Sequence, residues 1–292
     1  MRNINDLVSL IIVNYNKRPY TELCLSSLLK STYEPVEFIL VDNGSTDGTR
    51  DVLDDFGRQC SRSGIRCEVI LNDDNVGACT ARNQAMNVAA GNYIAFMDND
   101  TAVRTANWLE ILRGVLDEDE SNGICGPKLL FPFEPYDIEC AGVEISQNGW
   151  PRYRGRGAAC NAPEFNLRCE MQALISAVWL MKADLTDDIG VLDEVFNPAQ
   201  FEDLDYCYRA REAGYRVFYE PAAEMYHFEN VTTDGSVDVN FKYVTIKNGM
   251  EFKRRWRHMF SKEGGPPDSE TRWLPLETRP LEVTGVPPII YP

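Results

Sequence analysis

No apolar run in this sequence approaches the roughly 18–20 residues that a membrane-spanning helix needs. The opening MRNINDLVSLIIVNYN has an apolar stretch too short for a signal peptide and soon broken by Asn, so it reads as a buried strand. Positive charge is scarce: 29 Lys and Arg face 45 Asp and Glu, for a net charge of −16. Nucleic acid is gripped through Lys and Arg, which excludes it as a partner but leaves room for a small anion held by a metal ion or a few local donors. The 9 cysteines show no CxxC pair and no zinc spacing. They read as reduced thiols of a cytoplasmic protein. No GxGxxG follows the first apolar run, which argues against a dinucleotide-binding dehydrogenase. The segment there, NYNKRPY, also lacks the glycines with which a nucleotidyltransferase would hold a triphosphate.

What is present is a globular composition, 44% hydrophobic and 25% charged. Its 292 residues suffice for one large or two small domains. The first third alternates strand and helix patterns. Val8–Val13, Phe38–Val41, Val69–Leu71 and Tyr93–Met97 read as strands. Between them run a helix begun by Pro19, one capped by Ser45 or Thr46, and an Ala-rich one over Gly77–Ala90. This order predicts an α/β fold with a Rossmann-like, mostly parallel central sheet flanked by helices. Further on, Trp108–Leu116 reads as a helix, residues 123–170 as loop or irregular sheet, and Met171–Met181 as a strand. Asp203–Ala213 reads as a helix ending at Gly214, followed by short strands at Tyr215–Tyr219 and Met225–His227.

Ligands of parallel sheets bind at the carboxyl ends of the strands. Each predicted strand end here is polar: Asn14 and Tyr15; Asp42 and Asn43; Asn72–Asn75 with Gly77; and Asp98, Asn99 and Asp100. In an extended chain Asp98 and Asp100 point the same way, and two adjacent carboxylates repel unless a proton or cation lies between them. A hard divalent ion, Mn²⁺ or Mg²⁺, suits them; a solvated turn capping the next helix is the plainer alternative. A second acidic cluster, FEDLDYCYR, holds Glu202, Asp203, Asp205 and Arg209. Its acids suit a helix start, and a carboxylate there also suits a general base toward a hydroxyl. His227 stands at a strand end as a further candidate metal or phosphate contact, or simply as a packed residue.

In order and spacing, VSLIIVNYN, FILVDNGSTDGT, NVGACTARNQAM, YIAFMDND, ISAVWLMKADL and FEDLDYCYRAREAGYRVFYEP, closing on His227, resemble glycosyltransferase family 2 with the GT-A fold, and most of all its rhamnosyltransferase-like members. The resemblance implies a glycosyltransferase domain over residues 1–230, with residues 1–105 binding the nucleotide and 106–230 the acceptor. It implies that Asp42 accepts a hydrogen bond from a pyrimidine ring and that Asn14 and Tyr15 line the base pocket, with Asn43 and Asn99 as further nucleotide-sugar-binding residues. Asn75 and Gly77, with Arg82, would shape the nucleotide and diphosphate side. Asp98, Asp100 and His227 would hold the metal, Asp203 would be the catalytic base, and Glu202 would align acceptor or donor sugar. Ser176, Ala177 and Trp179 would floor the sugar pocket, with core packing an equal reading for Trp179. The implied reaction is inverting transfer from a UDP- or dTDP-sugar to a hydroxyl of a glycan, lipid-linked, peptide or small-molecule acceptor. A non-catalytic sugar-nucleotide-binding protein and a nucleotidyltransferase are the alternatives.

The tail, residues 231–292, differs in kind. Residues 246–262 gather Lys and Arg around Met250, Phe252, Trp256 and Phe260, and a Pro-rich stretch follows that reads as extended or partly disordered. The basic segment reads either as a helix packed on the acidic body or as one lying on the cytoplasmic face of an anionic membrane.

Overall fold

The structure is a computed structural model describing residues 6–229, 231 and 240–292. Its strands are β1 (Val8–Asn14), β2 (Val36–Asn43), β3 (Cys67–Asn72), β4 (Tyr93–Asp98), β5 (Thr101–Val103), β6 (Asn122–Leu130), β7 (Ile138–Cys140), β8 (Val143–Ile145), β9 (Pro151–Tyr153), β10 (Cys169–Glu170), β11 (Val178–Lys182) and β12 (Arg216–His227). The helices are α1 (Arg18–Leu28), α2 (Thr49–Arg62), α3 (Ala78–Val88), α4 (Trp108–Asp117), α5 (Leu185–Ile189), α6 (Glu202–Glu212), α7 (Phe241–Phe260) and α8 (Leu281–Thr284).

One sheet carries the order β10-β12-β6-β11-β4-β1-β2-β3. The β3-β2-β1-β4 half is parallel, as the alternating pattern predicts. Beyond β4 the direction changes, because β11 runs antiparallel to both β4 and β6. β-branched and aliphatic side chains of β1, β2 and β4 lie almost wholly out of solvent, as central strands covered on both faces require. The chain leaves β1 for β2 on one side and returns to β4 on the other. That reversal of strand order opens a crevice at the carboxyl ends of β1 and β4.

Several sequence expectations are corrected. β6 falls inside the Gly- and Pro-rich stretch expected to be irregular, yet all of it is buried. A Cβ at Gly123 would lie 2.9 Å from the Tyr215 Cβ, and one at Gly126 2.9 Å from Leu174 Cδ1. These glycines make room for neighbours rather than turns. The strand expected over Met171–Met181 is continuous only from Val178, with a single bridge from Ala173 to Val143 before it, and the two short strands after Gly214 form the single long β12. Neither Ser45 nor Thr46 caps α2: its N-cap is Gly48, and Asp47 just before it accepts the Thr49 N–H on Oδ1 at 3.1 Å.

The tail folds back onto the body. Val244, Asn248, Phe252, Trp256 and Phe260 of α7 are buried, so the aromatic residues of the basic segment face the protein. Ile290 donates its N–H to the Arg104 carbonyl at 2.6 Å and accepts from Ala106 at 2.9 Å. Among the described residues no helix is long and apolar enough to cross a membrane. All 9 cysteines are free.

Candidate active site

Register brings the polar strand ends together, since Asn14 pairs with Asp42 and Val13 with Asp98. Above them opens a cavity of about 660 Å³ whose wall includes Tyr15, Asn43, Asn75, Arg82, Asp98, Asn99, Asp100, Ser176, Ala177, Glu202, Asp203 and His227. Residues separated by more than 200 positions thus meet at one site.

On the β1–β3 side, Asn43 and Asn75 hold each other, Asn43 Nδ2 donating to Asn75 Oδ1 at 2.8 Å. Asn43 Oδ1 accepts the Val76 N–H at 3.1 Å, and Asn75 Oδ1 accepts that of Gly77 at 3.0 Å. Gly44, at φ +85°, lets the two loops touch: a Cβ there would come within 2.8 Å of the Asp74 carbonyl carbon. Asn99 Nδ2 donates to Thr21 Oγ1 at 3.0 Å, tying the β4 end to α1.

Four implied site residues stand behind the wall instead of on it. Asn14 is fully buried and braces the strand ends, donating to the Ile12 and Val41 carbonyls at 3.1 and 3.2 Å. Asp42 is also fully buried; its Oδ2 takes Arg50 Nε at 2.7 Å and the Ser45 N–H at 3.1 Å, while Oδ1 has no partner. Gly77 backs onto Asn197, whose Oδ1 would clash with a Cβ there. Trp179 is a core residue, stacked 5.6 Å from Phe96 and 6.2 Å from Tyr206.

Arg82 of α3 joins the two acidic clusters. Its side chain is 6% exposed and donates to Asp98 Oδ1 at 2.7 Å, to Ser176 Oγ at 2.7 Å and to Glu202 Oε1 at 3.2 Å. Burial opposes its charge, but Asp98 and Glu202 outweigh that and raise its pKa. Burial, with the charge of Asp203 beside it, pushes Glu202 up to about 7. Burial raises Asp98 and Asp203 as well. Asp203, in the first turn of α6, accepts the Ser176 N–H at 3.2 Å and the Leu204 N–H at 2.8 Å. Glu202 Oε2 is buried without a partner.

Asp98, Asp100 and His227 each offer a ligand atom, and the three atoms lie within 4.8 Å of one another. His227 Nε2 faces Asp100 Oδ1 at 3.5 Å while Nδ1 lies 3.2 Å from Oε2 of the fully buried Glu139. That carboxylate orients the ring and leaves Nε2 toward the aspartates, the arrangement of a metal-binding histidine. Two carboxylates and an imidazole fit a divalent ion.

The sequence pointed to neither Glu139 nor Asn248. The loop entering α6 holds Gln200 and Phe201 at φ +81° and +73°, a conformation that costs side-chain-bearing residues roughly 1–2 kcal/mol each. Asn248 of α7 pins it, its Nδ2 lying 2.7–3.0 Å from the carbonyls of Phe196, Ala199 and Gln200. No local pattern marks such a residue, because its partners lie some 50 positions away.

Sheet order and site together define a GT-A fold, and known proteins agree. GalNAc-T7, solved with UDP, GalNAc and Mn²⁺, superposes at a TM-score of 0.67 with 16% identity, over 88% of this chain and 50% of that one. Residues 9–139, just under half of the chain, match the family model described as glycosyl transferase family 2. Glycosyltransferase GlyG of Streptococcus pneumoniae is 33% identical over 123 residues, 42% of this chain and 39% of that protein. Uncharacterized protein y4gI of Sinorhizobium fredii is 30% identical over 258 residues, 86% of this chain and 28% of its own. The chain thus spans well under half the length of these relatives.

Proposed function

We propose that this chain is an inverting, divalent-metal-assisted glycosyltransferase that moves a sugar from a UDP- or dTDP-sugar to an acceptor hydroxyl. The observation that carries the reading is Arg82, which bonds the Asp98 of one acidic cluster and the Glu202 of the other across a single cavity. Residues 1–105 receive the nucleotide in this account. Its base lies against Tyr15 and Asn43, with Asp42 behind them bracing the β2 end through Arg50 and the Ser45 N–H. The acceptor approaches from the side built by residues 106–230. The Mn²⁺ in the GalNAc-T7 structure supports the choice of ion for Asp98, Asp100 and His227.

The chemistry follows from the side chains. A bound divalent ion offsets the charge that develops on the departing diphosphate. Asp203 takes the acceptor proton as that oxygen attacks the anomeric carbon opposite the leaving group, and burial makes it a stronger base than a solvated aspartate. Backbone N–H groups of Ser176 and Leu204 hold its carboxylate still. Glu202 Oε2, without a protein partner, is free to receive a sugar hydroxyl. Arg82 keeps Asp98 and Glu202 in place. The basic segment 246–262 acts in this account as a packed helix, not as a membrane anchor.

Replacing Asp203 by Asn tests the base. Sugar transfer should fall by roughly 10²–10⁴-fold while UDP affinity persists. Wild-type transfer rates in Asp203→Asn would remove this residue from the chemistry.

A further inference from the structure

Trp273 comes from the Pro-rich tail, far outside the family-matched residues, yet it lines the same cavity as Asp203 and the metal trio. Its side chain is 53% exposed, whereas Trp108 and Trp179 are wholly buried. It is nevertheless held firmly. The Arg156 guanidinium sits 4.0 Å from the indole centroid, and Arg156 Nε donates to the next residue's carbonyl, that of Leu274, at 2.9 Å. Tyr153 meets the indole edge-on at 5.2 Å and 82°. Arg156 is itself anchored by Glu229 at 2.8 Å, with only 6% of its side chain exposed. A large apolar surface, rigidly mounted and left open toward a reaction cavity, is a feature that marks binding.

Its place in the site tells which substrate it meets. From Asp100 contacts run to His227 at 3.5 Å, on to Glu139 at 3.2 Å, to Arg156 at 4.0 Å, and then to Trp273. The indole is thus joined to the metal trio by a run of direct contacts. Tyr153, in edge-on contact with the indole, lines the same cavity as Glu139 and the proposed base Asp203. The surrounding wall is acidic, with Glu139, Glu229, Glu202 and Asp203. Carboxylates so placed repel an anionic sugar. An indole face carries negative charge density that attracts the weakly positive C–H face of a pyranose ring.

Resting on the glycosyl-transfer reading above, we infer that Trp273 is the platform on which the acceptor docks, and that the acceptor is an uncharged pyranoside laying one C–H face on the indole. The tail thereby supplies the specificity-determining residue of the acceptor subsite.

The test uses the whole protein loaded with UDP and Mn²⁺. Methyl glycosides of glucose, galactose, mannose and rhamnose, with methyl glucuronide as the charged probe, are titrated and followed by saturation-transfer NMR. At least one neutral glycoside should bind, and the glucuronide should bind least. Trp273→Ala should weaken the neutral glycoside about tenfold, and Trp273→Phe should restore most of the loss. Trp150→Ala, altering an exposed indole away from the cavity, should leave it unchanged. UDP affinity should stay the same in all variants. Equal glycoside affinity in wild type and Trp273→Ala overturns the platform, as does a wild-type protein that binds UDP but no neutral glycoside. Failure of the wild type to bind UDP at all overturns the glycosyl-transfer reading on which the platform rests.

Discussion

Glu202 makes the acidic site measurable through stability. Its carboxyl is shifted up to about 7 in the folded chain, against an ordinary value near 4.5. The native state then holds a proton that the unfolded state releases, so stability falls as pH rises through that window. Glu202→Gln removes the group. Thermal unfolding should show the variant gaining on the wild type between about pH 5 and pH 8, with the difference levelling off above. A constant offset across that range would contradict the shift. The same residues show what a sequence discloses. Asp98, Asp100, Asp203 and His227 stood out because they fall together at predicted strand and helix ends, although each alone has a structural use as a cap or packed residue. Asn14 and Trp179 sit at equally suggestive positions yet face inward, since one residue of register decides which side of a buried strand looks into the cavity. Glu139 could not be singled out: its role exists only through His227, 88 positions later.

At the scale of elements, α7 matters for how it fastens α6. Asp205 is fully buried and accepts from Trp256 Nε1 at 2.8 Å and Arg209 Nε at 3.0 Å, with Arg255 at 3.3 Å. Asp205→Ala strands these donors and should lower unfolding free energy by about 3 kcal/mol in urea titration. A change within error would show that the helices do not depend on this node. Asn248 fastens the loop that aims Glu202 and Asp203. Asn248→Ala leaves three carbonyls without their donor, so it should cost about 1–3 kcal/mol and reduce kcat more than it weakens UDP binding. An unchanged kcat would mean the loop holds its shape unaided. The parallel half of the sheet was legible because its strands are short β-branched runs between helix patterns. β6 was not, since Gly123, Gly126 and Pro127 mimic a loop while serving close packing. The helical reading of the basic segment was available from composition, but its packed face was not, because Phe252, Trp256 and Phe260 look equally suited to a lipid surface until their partners on α6 are known.

For the molecule as a whole, the net charge of −16 sets the problem that the site solves. Under the proposed function a strongly acidic protein must attract a dianionic diphosphate, and the described cavity offers chiefly Arg82, with Lys242 at its rim, against six carboxylates. Arg82 is already committed to Asp98 and Glu202. In the proposed function a cation between carboxylates and phosphate balances that charge, and the account turns on it. The direct measurement is calorimetric titration of UDP into the wild type and Asp100→Ala, each with Mn²⁺ and with EDTA. The account predicts that Mn²⁺ tightens UDP binding in the wild type by about tenfold or more and does little for Asp100→Ala. UDP binding that is equally tight in EDTA, or equally metal-dependent without Asp100, would contradict it.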